Sequence, residues 1–282
     1  MFLVQLLNGI TWSAILFLMA SGFYMLFGLM RIINMAHGSF YMFAGYITAA
    51  LTLTVGFWIG LLVGVVSIAI IGVLIYVGLL KSLHKQDLKQ LLLTFGLIYV
   101  FLDITQWLWH GQVLFPFKPD ILDGSARFLG IIYPIYQLII IAIVIIIGAA
   151  LWLIQDKTKL GAIIRAGVDD EEMVRGLGIN LAPIFLGAFA LGAALAGFAG
   201  GMGAVFTGAY LGIDTEILTL GLIIVVIGGL GSLQGAMLGS LLIGLADTLG
   251  KAYLPDFASF TIFTVMVLVL VFRPSGLLGK QT

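Results

Sequence analysis

Two short polar segments interrupt otherwise apolar runs, and they hold most of the side chains able to bind or steer a solute. The first is Arg31-Ile-Ile-Asn-Met-Ala-His-Gly-Ser-Phe40, followed by Tyr41; the second is Ile227-Gly-Gly-Leu-Gly-Ser-Leu-Gln-Gly-Ala-Met237. Each leads from a Gly-Ser pair into a glycine-spaced helix, Gly38-Ser39 toward Gly45 and Gly231-Ser232 toward Gly239. Paired interruptions in the two halves of a transporter mark discontinuous helices beside the substrate path, because unwound backbone offers polar groups there. On this reading Asn34, His37, Ser39 and Tyr41, with Ser232 and Gln234 opposite, line a translocation pathway. On the plainer reading both segments are tight surface loops and His37 is a loop or capping histidine.

A third segment, Gly161-Ala-Ile-Ile-Arg-Ala-Gly-Val-Asp-Asp-Glu-Glu-Met-Val-Arg-Gly-Leu-Gly-Ile-Asn180, has the chemistry of a lever rather than of a binding site. Asp169 is placed to cap a helix over Asp169–Leu177, with Glu172 reaching back toward the cap. Acidic residues fill its first turn, Arg175 its last, and Gly178 supplies a left-handed stop, in agreement with the helix dipole and a glycine terminator. A helix of about two turns is marginal alone in water, so it needs packing, and Met173, Val174 and Leu177 offer an apolar face. The segment either docks into another protein or stays a solvated loop helix.

Other ionisable groups are sparse. Asp103, close to Thr105 and Gln106, lies inside an apolar run, where it either reaches the interface or acts as a buried carboxylate, a costly placement in hydrocarbon. Asp214, Glu216 and Asp247 read as interfacial charges at helix ends, which leaves little material for a proton or sodium relay. The chain has no cysteine and three histidines, and no cluster suggests a metal site or an acid–base pair, so neither catalysis nor a bound cofactor is expected. Gly276-Leu-Leu-Gly279-Lys280-Gln281 lacks the glycine spacing and the Ser/Thr of a nucleotide-binding loop. Any ATP must be handled by another chain.

The elements that position these groups are membrane helices. Of 282 residues 62% are hydrophobic and 9% charged, against roughly a quarter charged in soluble chains. A run of about 20 apolar residues crosses a hydrocarbon core roughly 30 Å thick. Runs of that kind predict spans at Asn8–Met30, Phe40–Val55, Phe57–Leu80, Gln90–Trp109, Pro134–Ile154, Leu181–Phe206, Ile217–Gly231, Leu233–Gly250 and Ala258–Phe272. The expected fold is therefore an all-α polytopic bundle of about eight or nine crossings, a single transmembrane domain over residues 1–282 with a coupling segment over 155–180. Met1–Asn8 carries no charged side chain, so no secretory signal is expected there.

Basic residues set the orientation. With the segment Gln155–Asn180 in the cytoplasm, alternation places ten of them inside (Arg31, Lys81, Lys85, Lys89, Lys157, Lys159, Arg165, Arg175, Arg273, Lys280) and leaves Lys118, Arg127 and Lys251 outside. The N-terminus is then external and the C-terminus cytoplasmic. Trp12, Trp58, Trp107 and Trp109 fall near the external interface and Trp152 near the internal one. The outer loop Gly111–Tyr133 becomes a docking surface. Small residues four apart, Gly60 and Gly64, Ala193, Gly197 and Gly201, Gly235 and Gly239, predict close helix contacts.

The order of several motifs resembles one family. Asn8-Gly9, Gly28 through Ile33-Asn34-Met-Ala-His-Gly38 with Met42 and Gly45-Tyr46, Thr94-Phe-Gly96, Arg165 to Gly178-Ile-Asn180, Gly228-Gly-Leu-Gly-Ser-Leu-Gln-Gly-Ala236 and Phe272-Arg-Pro-Ser-Gly-Leu-Leu278 are similar, over nearly the whole chain, to the permeases of branched-chain amino acid ABC importers of the Liv type. Gln234, where that family often has proline, and Asp103, in place of a neutral polar residue, depart from the pattern. The resemblance implies a bacterial or archaeal inner-membrane permease paired with a second permease, most simply as a heterodimer. Two cytoplasmic ATPases, using ATP and magnesium, would dock on short coupling helices, and a periplasmic binding protein would deliver the amino acid. It also leaves open the same architecture carrying urea, amides or aromatic acids. An ion-coupled secondary transporter would instead need buried ion ligands.

Overall fold

The computed structural model describes residues 1–30, 32–83, 86–128, 130–229 and 231–279. Arg31, Lys85 and Lys280, which count toward the orientation, and Leu230 of the second polar segment lie outside the described residues, as does the side chain of Asp169.

Eleven α-helices form the described chain: α1 Phe2–Phe23, α2 His37–Val55, α3 Phe57–Ile75, α4 Asp87–Trp109, α5 Ile135–Lys157, α6 Lys159–Asp169, α7 Glu171–Gly176, α8 Ala182–Thr207, α9 Ile213–Gly228, α10 Leu233–Tyr253 and α11 Ala258–Phe272. π-Helical turns extend α1 over Tyr24–Leu29 and α3 over Tyr76–Leu80. Eight helices are long and apolar enough to cross a membrane. The sixteen-residue α9 is about 24 Å long by helix rise, short of a full hydrocarbon core. It nevertheless continues the alternation. Its leading loop bridges to the α4–α5 loop through Leu114 and Ala209, and its other end holds the C-terminal tail by Leu277 N–H to Ile227 C=O at 2.8 Å. The span predicted at Ile217–Gly231 thus starts four residues earlier, because Gly212, at φ 98°, turns the chain directly into the helix.

The bundle has two distinct ends. One carries the loop between α4 and α5, where β1 (Ser125–Phe128) and β2 (Ile131–Pro134) pair antiparallel; the other carries α6 and α7. We call them the hairpin end and the lever end. At the core α1 packs against α10 and α8, and α2 against α3, α8 and α9. With no hydrophobic drive between helices in lipid, these contacts depend on small residues. The predicted glycines behave so: a methyl group at Gly64 would stand 3.0 Å from the Ala44 carbonyl oxygen, and one at Gly239 2.7 Å from that of Ile224. The outer helices are less enclosed. Trp107 is 75% exposed on α4, and Trp58 is exposed at the hairpin end. Trp12 and Trp109 are partly buried against the core at the same end.

Candidate functional site

The first polar segment lies inside the bundle rather than on a surface. Chain from Ile32 to Ala36 is non-helical, and Asn34 and His37 are fully buried. Backbone N–H groups buried away from water need internal acceptors in place of a helix ladder. Three side chains supply them. Gln90 Oε1 accepts from Ile33 N at 3.2 Å, Thr94 Oγ1 from Met35 N at 3.0 Å, and Asn34 Oδ1 from Ala36 N at 3.1 Å. Gln90 also donates through Nε2 to Leu83 C=O at 2.9 Å, and Thr94 Oγ1 donates to Gln90 C=O at 2.8 Å. One turn of α4 therefore serves as the missing hydrogen-bond surface for the break. By sequence Thr94 belongs only to a motif and Gln90 only marks a span boundary; a Gln-x-x-x-Thr pair at i, i+4 places both on one helix face, and that is the signal for their joint role.

An isosteric Thr94→Val substitution removes the acceptor for Met35 N and the donor together. Leaving one buried N–H unpaired costs about 1–3 kcal/mol. Hydrogen–deuterium exchange at residues 33–36 is expected to accelerate by about ten-fold or more, with the rest of α4 unchanged.

The remaining residues proposed for a pathway occupy different surroundings. His37 Nε2 lies 3.3 Å from the Met19 carbonyl oxygen, which can only accept, so that nitrogen carries the proton. Its ring meets Phe23 and Phe40 edge-on at 5.6 and 5.9 Å. From Phe40 an aromatic series runs through Phe101, Phe43 and Trp109 to Tyr46, tying α2 to α4. Ser39 Oγ donates to Asp214 Oδ2 at 3.2 Å, both residues being buried. Tyr41 packs its hydroxyl where Gly203 leaves room. Ser232 caps α10 by accepting from Gly235 N at 2.9 Å. Gln234 lines an apolar groove of about 540 Å³ with Phe17 of α1 and Val144 and Trp152 of α5. The two breaks approach one another, since a methyl at Gly28 would stand 3.3 Å from Gly231 N, but in the cavities described among these residues Gln234 is the one of the six side chains that takes part.

Asp214 and Asp247 correct the reading of them as interfacial charges. They are 1% and 3% exposed. For Asp214 the reason is that its face of the first turn of α9 sits against the start of α2, where a methyl at Gly38 would overlap the Asp214 carbonyl oxygen. Asp247 is held by Lys251 Nζ at 2.9 Å. Asp103 takes the opposite course and is exposed on the outer face of α4.

At the lever end, α6 and α7 meet at Asp170, whose φ of −149° and ψ of 95° break the helix. Asp170, not Asp169, is the cap: its Oδ1 accepts from Met173 N at 2.9 Å, while Asp169 remains the last residue of α6. The predicted helix Asp169–Leu177 is thus Glu171–Gly176, shorter at both ends because the extended residue needed for capping lies one position later. Arg175 pairs with Glu171 at 2.6 Å, and Glu172 is exposed. Gly178 has φ 79°. Its N–H reaches Arg175 C=O at 2.9 Å and Ile179 N–H reaches Val174 C=O at 3.3 Å, the paired bonds of a Schellman stop. The apolar trio divides: Val174 is 2% exposed and anchors the helix, whereas Met173 at 61% and Leu177 at 71% face outward.

Relatives of the chain are membrane permeases. A high-affinity branched-chain amino acid transport permease named LivH from Salmonella typhimurium is 29% identical over 297 residues, covering 99% of this chain and 96% of the relative. One named BraD from Pseudomonas aeruginosa is 29% identical over 303 residues with the same coverage. A shorter stretch of 127 residues, 43% of this chain, is 33% identical to 29% of LivM from Escherichia coli. No solved structure matches significantly. Residues 5–270, which include both breaks and the lever, match the family described as branched-chain amino acid transport system, permease component, and to that family the chain belongs.

Proposed function

We propose that the chain is one half of the transmembrane unit of an ATP-driven importer for branched-chain or similar hydrophobic amino acids, working by alternating access with no chemistry of its own. The observation that carries the mechanism is α7. Its N-terminus is capped, its C-terminus is stopped by Gly178, Val174 anchors it, and it still turns Met173 and Leu177 to solvent. Two large apolar side chains on a short, rigid, mixed-charge helix fit a groove on a cytoplasmic ATPase better than water. Asp170 takes over the capping role, and Glu172, Arg175 and Gly178 complete the docking element.

In this reading the lever end is cytoplasmic and the hairpin end external. The partners are a second permease, two ATPases that hold ATP and magnesium, and a periplasmic binding protein. The permease in hand needs no cofactor. The apolar groove holding Gln234 faces the second permease, and the break from Ile32 to Ala36 acts as the pivot that opens and closes the path. Asn34, His37, Ser39, Tyr41 and Ser232 belong to that moving part, buried when the path is closed.

The absence of native cysteine gives a direct test. In the assembled complex, Met173→Cys and Leu177→Cys are expected to cross-link to the ATPase with a short bifunctional reagent, and Trp107→Cys, at the hairpin end, is not. A cross-link from Trp107→Cys alone would overturn the assignment of both the lever and the orientation.

A further inference from the structure

The amino acid reading leaves one chemical problem, because a free amino acid carries an ammonium and a carboxylate that an apolar bundle would reject. A second cavity, at the hairpin end, answers it. It encloses about 470 Å³ between the first half of α1, the start of α5, the loop before α9 and the end of α10, within the range of small-molecule sites. Its charged lining is mixed. Glu216 accepts from the Tyr210 hydroxyl at 2.8 Å and has no cation beside it among the described ion pairs. Burial first, then the Glu216 carboxylate, pushes the Tyr210 phenol up to about 12, so it remains a donor. Lys251 holds Asp247 at 2.9 Å with its side chain still 57% exposed. Between them Trp12 Nε1–H and Gln137 Oε1 have no hydrogen-bond partner among the described residues, and both line the cavity. Ile15, Ile213 and Ile217 supply an apolar wall.

We propose that this cavity is an entry site for a zwitterionic α-amino acid, with Glu216 receiving the ammonium, Lys251 the carboxylate, and the isoleucine wall the side chain. The unpartnered Trp12 donor and Gln137 acceptor complete the ligand's hydrogen bonds. Charges of opposite sign on separate elements distinguish this cavity from the apolar groove near Gln234, which has none. The proposal rests on the permease reading and extends it by assigning the residues that receive the charged ends.

Trp12 provides the readout. In the full chain reconstituted in lipid nanodiscs, L-leucine is expected to change tryptophan fluorescence saturably, and Trp12→Phe to abolish the change. Glu216→Gln should weaken L-leucine at least about ten-fold while leaving isocaproate, which lacks the ammonium, within about two-fold, since only a charge-assisted contact is lost. Lys251→Met should weaken L-leucine and isocaproate alike and spare isoamylamine, which lacks the carboxylate. Glu216→Asp and Lys251→Arg should retain binding within about three-fold, excluding a folding defect. The proposal is overturned if L-leucine leaves Trp12 unperturbed, or if both charge-removing variants bind it as the parent does. Import of L-leucine by the complete complex under those conditions would preserve the permease reading while this site falls; failure of the complex to import it, with Trp12 still responding, would remove the substrate reading and leave the site.

Discussion

Replacing Met173 and Leu177 together by Asp is expected to reduce ATP-driven import roughly a hundred-fold while the membrane helices stay folded. Both side chains are mostly exposed in the isolated chain, so the substitution removes little internal packing. In the complex each would be buried against the ATPase, and burial of a large apolar side chain is worth at least about 1.5 kcal/mol. Two of them give about 3 kcal/mol, a factor near one hundred. The Asp carboxylates add a desolvation penalty in the same direction. Val174→Asp makes the contrasting case, because Val174 is buried and its loss should unfold α7 itself. The measurement is transport and substrate-stimulated ATPase activity on complexes of verified composition. Parent-level values for both in the Met173→Asp, Leu177→Asp variant would reduce α7 to a solvated loop helix.

Gly38→Ala is expected to be among the most damaging single-methyl changes in the membrane core. The added carbon would collide with the Asp214 carbonyl oxygen and stand 2.9 Å from Leu218 Cβ. Neither neighbour is the free end of a flexible side chain, so α2 and α9 must separate. Overpacking of this kind costs about 1–3 kcal/mol and occasionally more, and here the separation would also stretch the Ser39–Asp214 hydrogen bond. Gly96→Ala, with nothing within 4 Å of the new carbon, is the control. Thermal unfolding in detergent should fall by several degrees for Gly38→Ala alone, and import should fall with it. Equal stability of the two variants would show that the α2–α9 contact can relax.

Much of this architecture is legible in the amino-acid sequence. Apolar runs mark the helices because bilayer thickness fixes their length, and the four-residue glycine spacing marks the contacts because Gly64 and Gly239 touch backbone of another helix. The stop at Gly178 is legible because a left-handed residue ends a helix in that way and glycine adopts it freely. The depth of polar groups is not. Asp214 and Asp103 both stand within about two turns of a helix end, yet one is buried beside Ser39 and the other faces out of α4. Helix rotation decides between those outcomes, and it is set by packing partners remote in sequence. The cap falls at Asp170 instead of Asp169 although adjacent aspartates present the same chemistry, and only the backbone angle at the α6–α7 corner separates them. The entry cavity leaves no sequence signature for a related reason, since Trp12, Gln137, Glu216 and Lys251 come from four elements and form no motif.

Whether ATP drives import through this permease is read from accumulation of radiolabelled L-leucine in proteoliposomes containing the full complex and the binding protein. L-leucine is expected to accumulate against its gradient only with ATP in the compartment bearing the ATPases. That uptake should be competed by L-isoleucine and L-valine and be untouched by ionophores that collapse proton and sodium gradients. Accumulation without ATP that the ionophores abolish would contradict ATP-driven import.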